Sequence, residues 1–104
     1  MLTGKCKEDF EKWFVDRGFV SSNTVVYNLD WFRYNLHFSM QYGVYVDFFD
    51  SVGVELYEGR WEVETHRGFS VLIFEEEWSD LVREKTRHEA RTKAIERAND
   101  IYNN

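Results

Sequence analysis

The sequence predicts an α+β fold in two layers, with an antiparallel meander of three or four strands and both helices packed on one sheet face. Apolar residues recur at three- and four-residue spacings near both ends of the chain, which is the period of an α-helix. Between these segments apolar and polar residues alternate, which is the period of a β-strand. Short glycine-containing turns separate the alternating runs, and such connections join antiparallel strands. Two amphipathic helices and one sheet are most simply arranged as two layers.

Size and composition predict one globular domain over residues 1–104. Of the 104 residues, 43% are hydrophobic and 31% are charged, which suits a single folded domain. Cys6 is the only cysteine, so an internal disulfide is excluded and a reducing compartment is expected. The N-terminus carries charges throughout, and no apolar run approaches the roughly 20 residues of a membrane span. The sequence therefore predicts a cytoplasmic protein with no membrane segment.

The first predicted element is a helix over residues 5–17. Phe10 and Phe14 lie on one face at helical spacing, and Gly18 suits the left-handed position that ends a helix. Residues 19–38 mix turn formers with aromatic residues, and we expect an irregular connection there.

The middle of the chain has the alternation of successive strands. The first strand is predicted over residues 40–50, where Tyr45, Asp47 and Phe49 share one face. Glycine-containing turns are expected at residues 51–53, 58–59 and 67–68, and further strands at 54–58, 60–66 and 69–76.

A capping box marks the start of the last helix. Thr86 and Glu89 have the spacing at which each side chain reaches a free backbone N–H of the other. The alanines of the apolar stripe that follows are small and allow the helix to approach a sheet closely. The stripe consists of Ala90, Ala94, Ile95, Ala98, Ile101 and Tyr102.

The predicted functional surface is the sheet face turned away from the helices. There we expect apolar side chains, including one set from residues 69–74, interleaved with carboxylates. Such a patch on a small domain marks a partner surface, with aromatic anchors and acids that orient a basic partner. Two alternatives stay open, namely that residues 19–38 cover this face and that it binds a small ligand. The predicted partner-binding residues are Tyr45, Phe49, Tyr57, Asp47, Glu62 and Glu64.

A small enzyme is an alternative from a different class. Glu62, Glu64 and His66 share one predicted strand face, and His with carboxylates can bind a divalent ion. Residues two apart on a strand lie about 7 Å from each other, too far for all three to ligate one metal without cross-strand help. Asp47 and Asp50 form a second carboxylate pair, although Asp50 has the position of a turn residue. We therefore predict no metal, no cofactor and no enzymatic activity.

A nucleic-acid-binding module is the other alternative. The final helix begins with Arg87, His88 and Arg91, and this start is similar to that of the last helix of double-stranded-RNA-binding domains, which run α-β-β-β-α. The resemblance implies that these three side chains touch phosphates. Residues 41–80 carry a net charge of −8, which repels phosphate backbones and disfavours nucleic acid.

A second resemblance concerns two longer stretches. SMQYGVYVDFFDSVGVEL and HEARTKAIERANDIYN resemble segments of small uncharacterised proteins encoded in bacteriophages and prophages. The resemblance implies an accessory protein that acts in the bacterial host cell. Its expected partner is a host or phage protein, or a second copy of this chain. The acidic run Glu75–Glu77 suggests inhibition of a host nucleic-acid-binding or defence protein, since carboxylates can imitate phosphates.

Overall fold

The computed structural model describes residues 2–17, 29–76 and 78–104, which form four helices and a three-stranded antiparallel sheet. The α+β prediction is confirmed. The elements in chain order are α1 (Gly4–Asp16), α2 (Leu29–Asn35), α3 (Phe38–Ser51), β1 (Val54–Val63), β2 (His66–Glu75), β3 (Trp78–Glu84) and α4 (Arg87–Asn103).

The sheet is a meander in the order β1-β2-β3, with each strand antiparallel to the next. A two-residue loop, Glu64–Thr65, joins β1 to β2, and Val63 pairs with His66 across it. Glu64, the first residue of this loop, has a φ of 53°, whereas Thr65 has no positive φ. Among the two turns that favour hairpins, a positive φ at the first central position alone is the pattern of type II′.

Three details of the predicted strands are wrong. β1 and β2 run straight through Gly59 and Gly68, where turns were expected, and β3 lies beyond the last predicted strand. Gly68 instead marks a close approach, because a Cβ there would lie 2.7 Å from the indole nitrogen of Trp61. Glycine inside a strand often has this role.

The predicted strand over residues 40–50 is also wrong, because this segment belongs to the helix α3. Its buried residues are Tyr42, Tyr45, Phe48 and Phe49, which follow helical spacing. The segment is apolar at so many positions that strand and helix periods both fit it. Packing of Phe48 and Tyr45 against Phe10 of α1, with ring centroids 5.4 and 5.0 Å away, favours the helix.

Helices α3 and α4 cover one face of the sheet, with α3 over β1 and α4 over β2 and β3. The apolar stripe of α4 is buried as predicted at Ala90, Ala94, Ile95 and Ala98. Helix α1 joins this layer by packing against α3 and α4. The ring centroids of the buried Phe14 and of Phe32 in α2 lie 5.2 Å apart. The described part of the 19–38 segment is therefore part of the helical layer. Residues 18–28 lie outside the described residues.

Two asparagines near the end of α4 hold the start of α1. Asn99 is 4% exposed, and its side-chain oxygen accepts the backbone N–H of Thr3 at 2.9 Å. Its amide nitrogen donates to the Thr3 hydroxyl at 3.0 Å. Asn103 accepts the backbone N–H of Cys6 at 2.8 Å and donates to the Thr3 carbonyl at 2.9 Å. Because the first N–H groups of a helix lack intrahelical partners, α4 supplies the cap that α1 lacks.

Replacing Asn99 with alanine should lower the free energy of unfolding by about 1–3 kcal/mol, because the Thr3 N–H loses its partner in a partly buried site. Urea denaturation followed by circular dichroism measures this loss. Asn104→Ala is the matched control: Asn104 is exposed and its side chain bonds only Asp100 in the preceding turn. We expect the control to stay within about 0.5 kcal/mol of the wild type. An equal loss in both variants would contradict the capping role.

Candidate binding surface on the open face of the sheet

The sheet has one face against the helices and one face turned away from them. On the helix side, Leu56, Val71, Ile73 and Val82 are buried. The alternation of side chains along each strand places their neighbours on the other side. There, Tyr57, Leu72 and Leu81 form one cross-strand row, and the next row holds Glu55, Phe74 and Ser79. We call this side the open face.

Large apolar side chains of the open face are exposed. Tyr57, Phe74 and Leu81 are 53%, 41% and 43% exposed. The rings of Tyr57 and Phe74 meet edge to face, with centroids 5.8 Å apart. Leu72 lies between Tyr57 and Leu81 and is half-buried. Exposed apolar groups in adjacent rows form a contiguous patch, and such patches mark interaction sites.

An acidic groove borders the patch where β1 begins and β2 ends. The groove has a volume of about 690 Å³. The Tyr57 hydroxyl donates a 2.6 Å hydrogen bond to the Glu55 carboxylate. This hydrogen bond, followed by the negative charges of Glu55 and Asp50, raises the pKa of Tyr57 above its usual range. The lining residues are Val52, Gly53, Glu55, Tyr57, Phe74, Glu75 and Glu76.

The distribution of ion pairs explains why this groove is negative. Four cations of α4 reach acids on the helix side of the sheet. The pairs are Arg87 with Glu58 at 3.6 Å, Arg91 with Glu58 at 2.6 Å, Lys93 with Glu84 at 3.2 Å and Arg97 with Asp80 at 3.3 Å. In the part of the chain that the structure describes, no such ion pair involves Glu55, Glu75 or Glu76. The cations of α4 therefore neutralise acids on the helix side of the sheet, and the carboxylates of the groove keep their negative charge.

The structure separates the six predicted partner-binding residues. Tyr57 lies on the open face, as expected from its strand. Tyr45 and Phe49 belong to α3 and are 6% and 0% exposed, so their expected place on the sheet is wrong. The error follows from the helix that replaces the predicted strand over residues 40–50.

The three predicted acids are exposed but lie apart from the patch. Asp47 is on α3, Glu64 is in the β1–β2 loop, and Glu62 is in β1. Because β1 has no turn at Gly59, Glu62 shares the helix side with Leu56, whereas Trp61 moves to the open face. One residue of difference in a strand reverses every side chain that follows.

Sequence reasoning missed Leu81 on the open face because β3 was not predicted. Leu72 and Phe74 belong to the 69–74 segment, which was expected to contribute one alternating set to this face. Glu75 and Glu76 were noted as an acidic run, but only the hairpin register places them beside Tyr57 and Phe74. A turn placed at Glu64–Thr65, in place of those expected at residues 58–59 and 67–68, would have provided that register.

The residues proposed for nucleic acid make contacts within the chain. The Arg91 guanidinium bonds Glu58 and lies 4.8 Å from the ring centroid of Tyr42. Arg87 lies over the ring of Phe69 at 4.9 Å, and His88 meets the Phe38 ring at 4.7 Å. All three side chains at the start of α4 are therefore in contact with residues of β1, β2 or α3.

The groups considered for metal binding are dispersed, and the single cysteine, Cys6, is buried. Glu62 is on the helix side of β1, Glu64 is in the loop, and His66 begins β2. Across the described ranges, no three His, Cys, Asp or Glu side chains are grouped so that they could hold a metal ion. Burial, followed by the charge of Asp9, raises the pKa of the Cys6 thiol to about 12, so this sulfur stays protonated near neutral pH.

Comparisons with protein families, with curated proteins and with solved structures find no match to this chain. Among the helices that the structure describes, none has the length and apolar character needed to cross a membrane.

Proposed function

We propose that this chain is a non-enzymatic protein-binding module whose open face binds a basic protein surface with an apolar centre. The observation that carries the proposal is the contiguous exposed patch of Tyr57, Leu72, Phe74 and Leu81 beside the acidic groove. Aromatic side chains supply a large contact area with few rotatable bonds, and buried aromatic anchors account for much of the binding energy of an interface.

The charge of the groove favours a partner with Lys or Arg around its apolar contact. Glu55, Glu75 and Glu76 line the groove, and their charges are not balanced by cations of the described residues. Such carboxylates speed association with a basic surface and fix its orientation. They also disfavour a bare phosphate backbone as the ligand.

The resemblance to phage and prophage proteins suggests the setting. We propose an accessory protein that acts inside a bacterial host cell on a host or phage protein. One specific version is inhibition of a host nucleic-acid-binding or defence protein, in which the groove carboxylates occupy positions that phosphates take in the natural ligand. This version requires a partner whose basic groove is its working surface.

Photocrosslinking tests the proposal. A photoreactive phenylalanine analogue replaces Leu81 on the open face, and the labelled protein is irradiated in an extract of a bacterial host. The matched control carries the same analogue at Met40, which is 58% exposed on α3. We expect Leu81-dependent products with basic proteins, identified by mass spectrometry, that the Met40 control does not form.

A double variant separates specific binding from general stickiness. Tyr57→Ser with Phe74→Ser removes the two exposed rings and leaves the buried core unchanged. The yield of the Leu81-dependent products should fall about tenfold or more, since loss of interface anchors has that effect. Met40→Ser should leave the yield unchanged. Products that persist in the double variant, or that form equally from position 40, would refute the proposal.

A further inference from the structure

The two outer edges of the sheet differ in how their backbone groups are used. β1 and β3 are the edge strands. On β3, the Asp80 side chain accepts the backbone N–H of Leu81 at 2.8 Å, which occupies a donor of that edge. On β1, no side chain of the described residues bonds a backbone group. An edge with free N–H and C=O groups is a template for another strand.

The β1–β2 hairpin determines which groups of β1 point outward. A two-residue loop is closed by a hydrogen-bonded pair, here Val63 and His66. Hydrogen-bonded and non-hydrogen-bonded pairs then alternate along the ladder. The odd-numbered residues of β1 therefore bond β2, and the backbone groups of Leu56, Glu58, Arg60 and Glu62 point to the free edge.

We propose that β1 pairs antiparallel with β1 of a second copy of this chain, with the two-fold axis at Gly59. In this register, outward-pointing residues face each other. Glu58 faces Arg60 of the second copy in a hydrogen-bonded pair, and Leu56 faces Glu62 of the second copy. Tyr57 faces Trp61 of the second copy in a non-hydrogen-bonded pair, where cross-strand side chains come closest.

Charge disfavours the two nearest alternative registers that the backbone allows. Moving the axis by one residue to Glu58 places two Glu58 carboxylates opposite each other, and moving it to Arg60 places two guanidinium groups opposite each other. Like charges in directly opposed positions are destabilising. Arg60 has no carboxylate partner among the described ion pairs, and the Glu58 side chain remains 28% exposed beside Arg91.

On the helix side, the covered and uncovered halves of β1 also complement each other between the two copies. α3 covers the first half of β1, where Val54 and Leu56 are buried. The second half is bare on that side, because Arg60 and Glu62 are exposed. Antiparallel pairing about Gly59 brings the covered half of one strand beside the bare half of the other. The result is a six-stranded sheet whose two open faces are continuous, a symmetric dimer of the commonest kind.

The oligomeric state tests the proposal without any other protein. Light scattering after size exclusion, over a concentration series, should give twice the chain mass of 12.6 kDa. Arg60→Glu should raise the dimer dissociation constant about tenfold or more. The new carboxylate at position 60 of each copy would face Glu58 of the other copy, and directly opposed like charges are destabilising. Arg83→Glu makes the same charge change on β3 and should leave the dissociation constant unchanged. A wild type that is monomeric throughout, or equal weakening by both variants, would overturn the proposal.

A disulfide across the axis tests the register and does not depend on the charge variants. In a non-hydrogen-bonded pair the Cα atoms lie about 4.5 Å apart, within the range that a disulfide spans. A Cβ at Gly59 meets only the Ser70 hydroxyl, at 3.4 Å, so Gly59→Cys should fold. We expect Gly59→Cys to form a covalent dimer under mild oxidation, and Arg83→Cys, in the same row on the opposite edge, to remain monomeric. Equal crosslinking of both, or of Arg83→Cys alone, would exclude the Gly59 axis. Since dimerisation is measured without a partner, its failure leaves the open-face proposal to its own test.

Discussion

Replacing Phe49 with alanine is expected to lower the free energy of unfolding by about 3–5 kcal/mol, the usual loss for a buried phenylalanine. Phe49 is fully buried on α3, and its ring contacts that of Phe48 at 5.2 Å. The substitution removes the buried apolar surface and leaves a cavity beneath α3. Urea denaturation monitored by circular dichroism measures the change in unfolding free energy.

Tyr57→Ala is the control for Phe49→Ala, because both replace an aromatic residue and only one is buried. Tyr57 is 53% exposed, and its hydroxyl bonds the exposed Glu55. We expect its loss to cost under about 1 kcal/mol. The pair distinguishes the helix observed over residues 38–51 from the predicted strand, in which both rings would face solvent. Two small and similar losses would contradict the burial of α3.

Replacing Gly68 with alanine is expected to destabilise the fold by about 3 kcal/mol, at the upper end for an overpacked interior. A Cβ at Gly68 would lie 2.3 Å from the backbone oxygen of Glu84 and 2.7 Å from the indole nitrogen of Trp61. The Glu84 backbone is held by its pairing with Phe69, so it cannot move without loss of the β2–β3 ladder. Thermal and urea unfolding of the variant measure the effect.

Gly43→Ala is the matched control for Gly68→Ala and should have the opposite sign. Gly43 lies within α3, and a Cβ there meets nothing within 4 Å. Alanine in a helix interior is more favourable than glycine, so stability should rise by about 0.5–1 kcal/mol. If Gly68→Ala were neutral, the close approach of Trp61 and Glu84 to this strand would be wrong.

The candidate surface shows where sequence reasoning stops. The alternation of residues 54–63 indicated a strand, but the faces of its two halves depended on whether the chain turned at Gly59. Because the strand continues, Trp61 lies on the open face and Glu62 on the helix side. The acidic run after β2 was visible, whereas its position beside Tyr57 depends on the β1–β2 register. Partners in a ladder are far apart in the sequence, so local patterns do not specify them.

Local patterns along the chain were enough to predict the α+β class, the first helix and the last helix with its cap. Thr86 accepts the N–H of Glu89 at 3.1 Å, as its spacing indicated. These features depend on contacts within a few residues, and local composition is enough to specify them. Three further features were established only in the folded chain. Residues 38–51 are helical, two asparagines of α4 cap α1, and the cations of α4 pair with acids on the helix side of the sheet. Each of these requires groups from distant parts of the chain to meet, and the free energy of that packing outweighs the local preference.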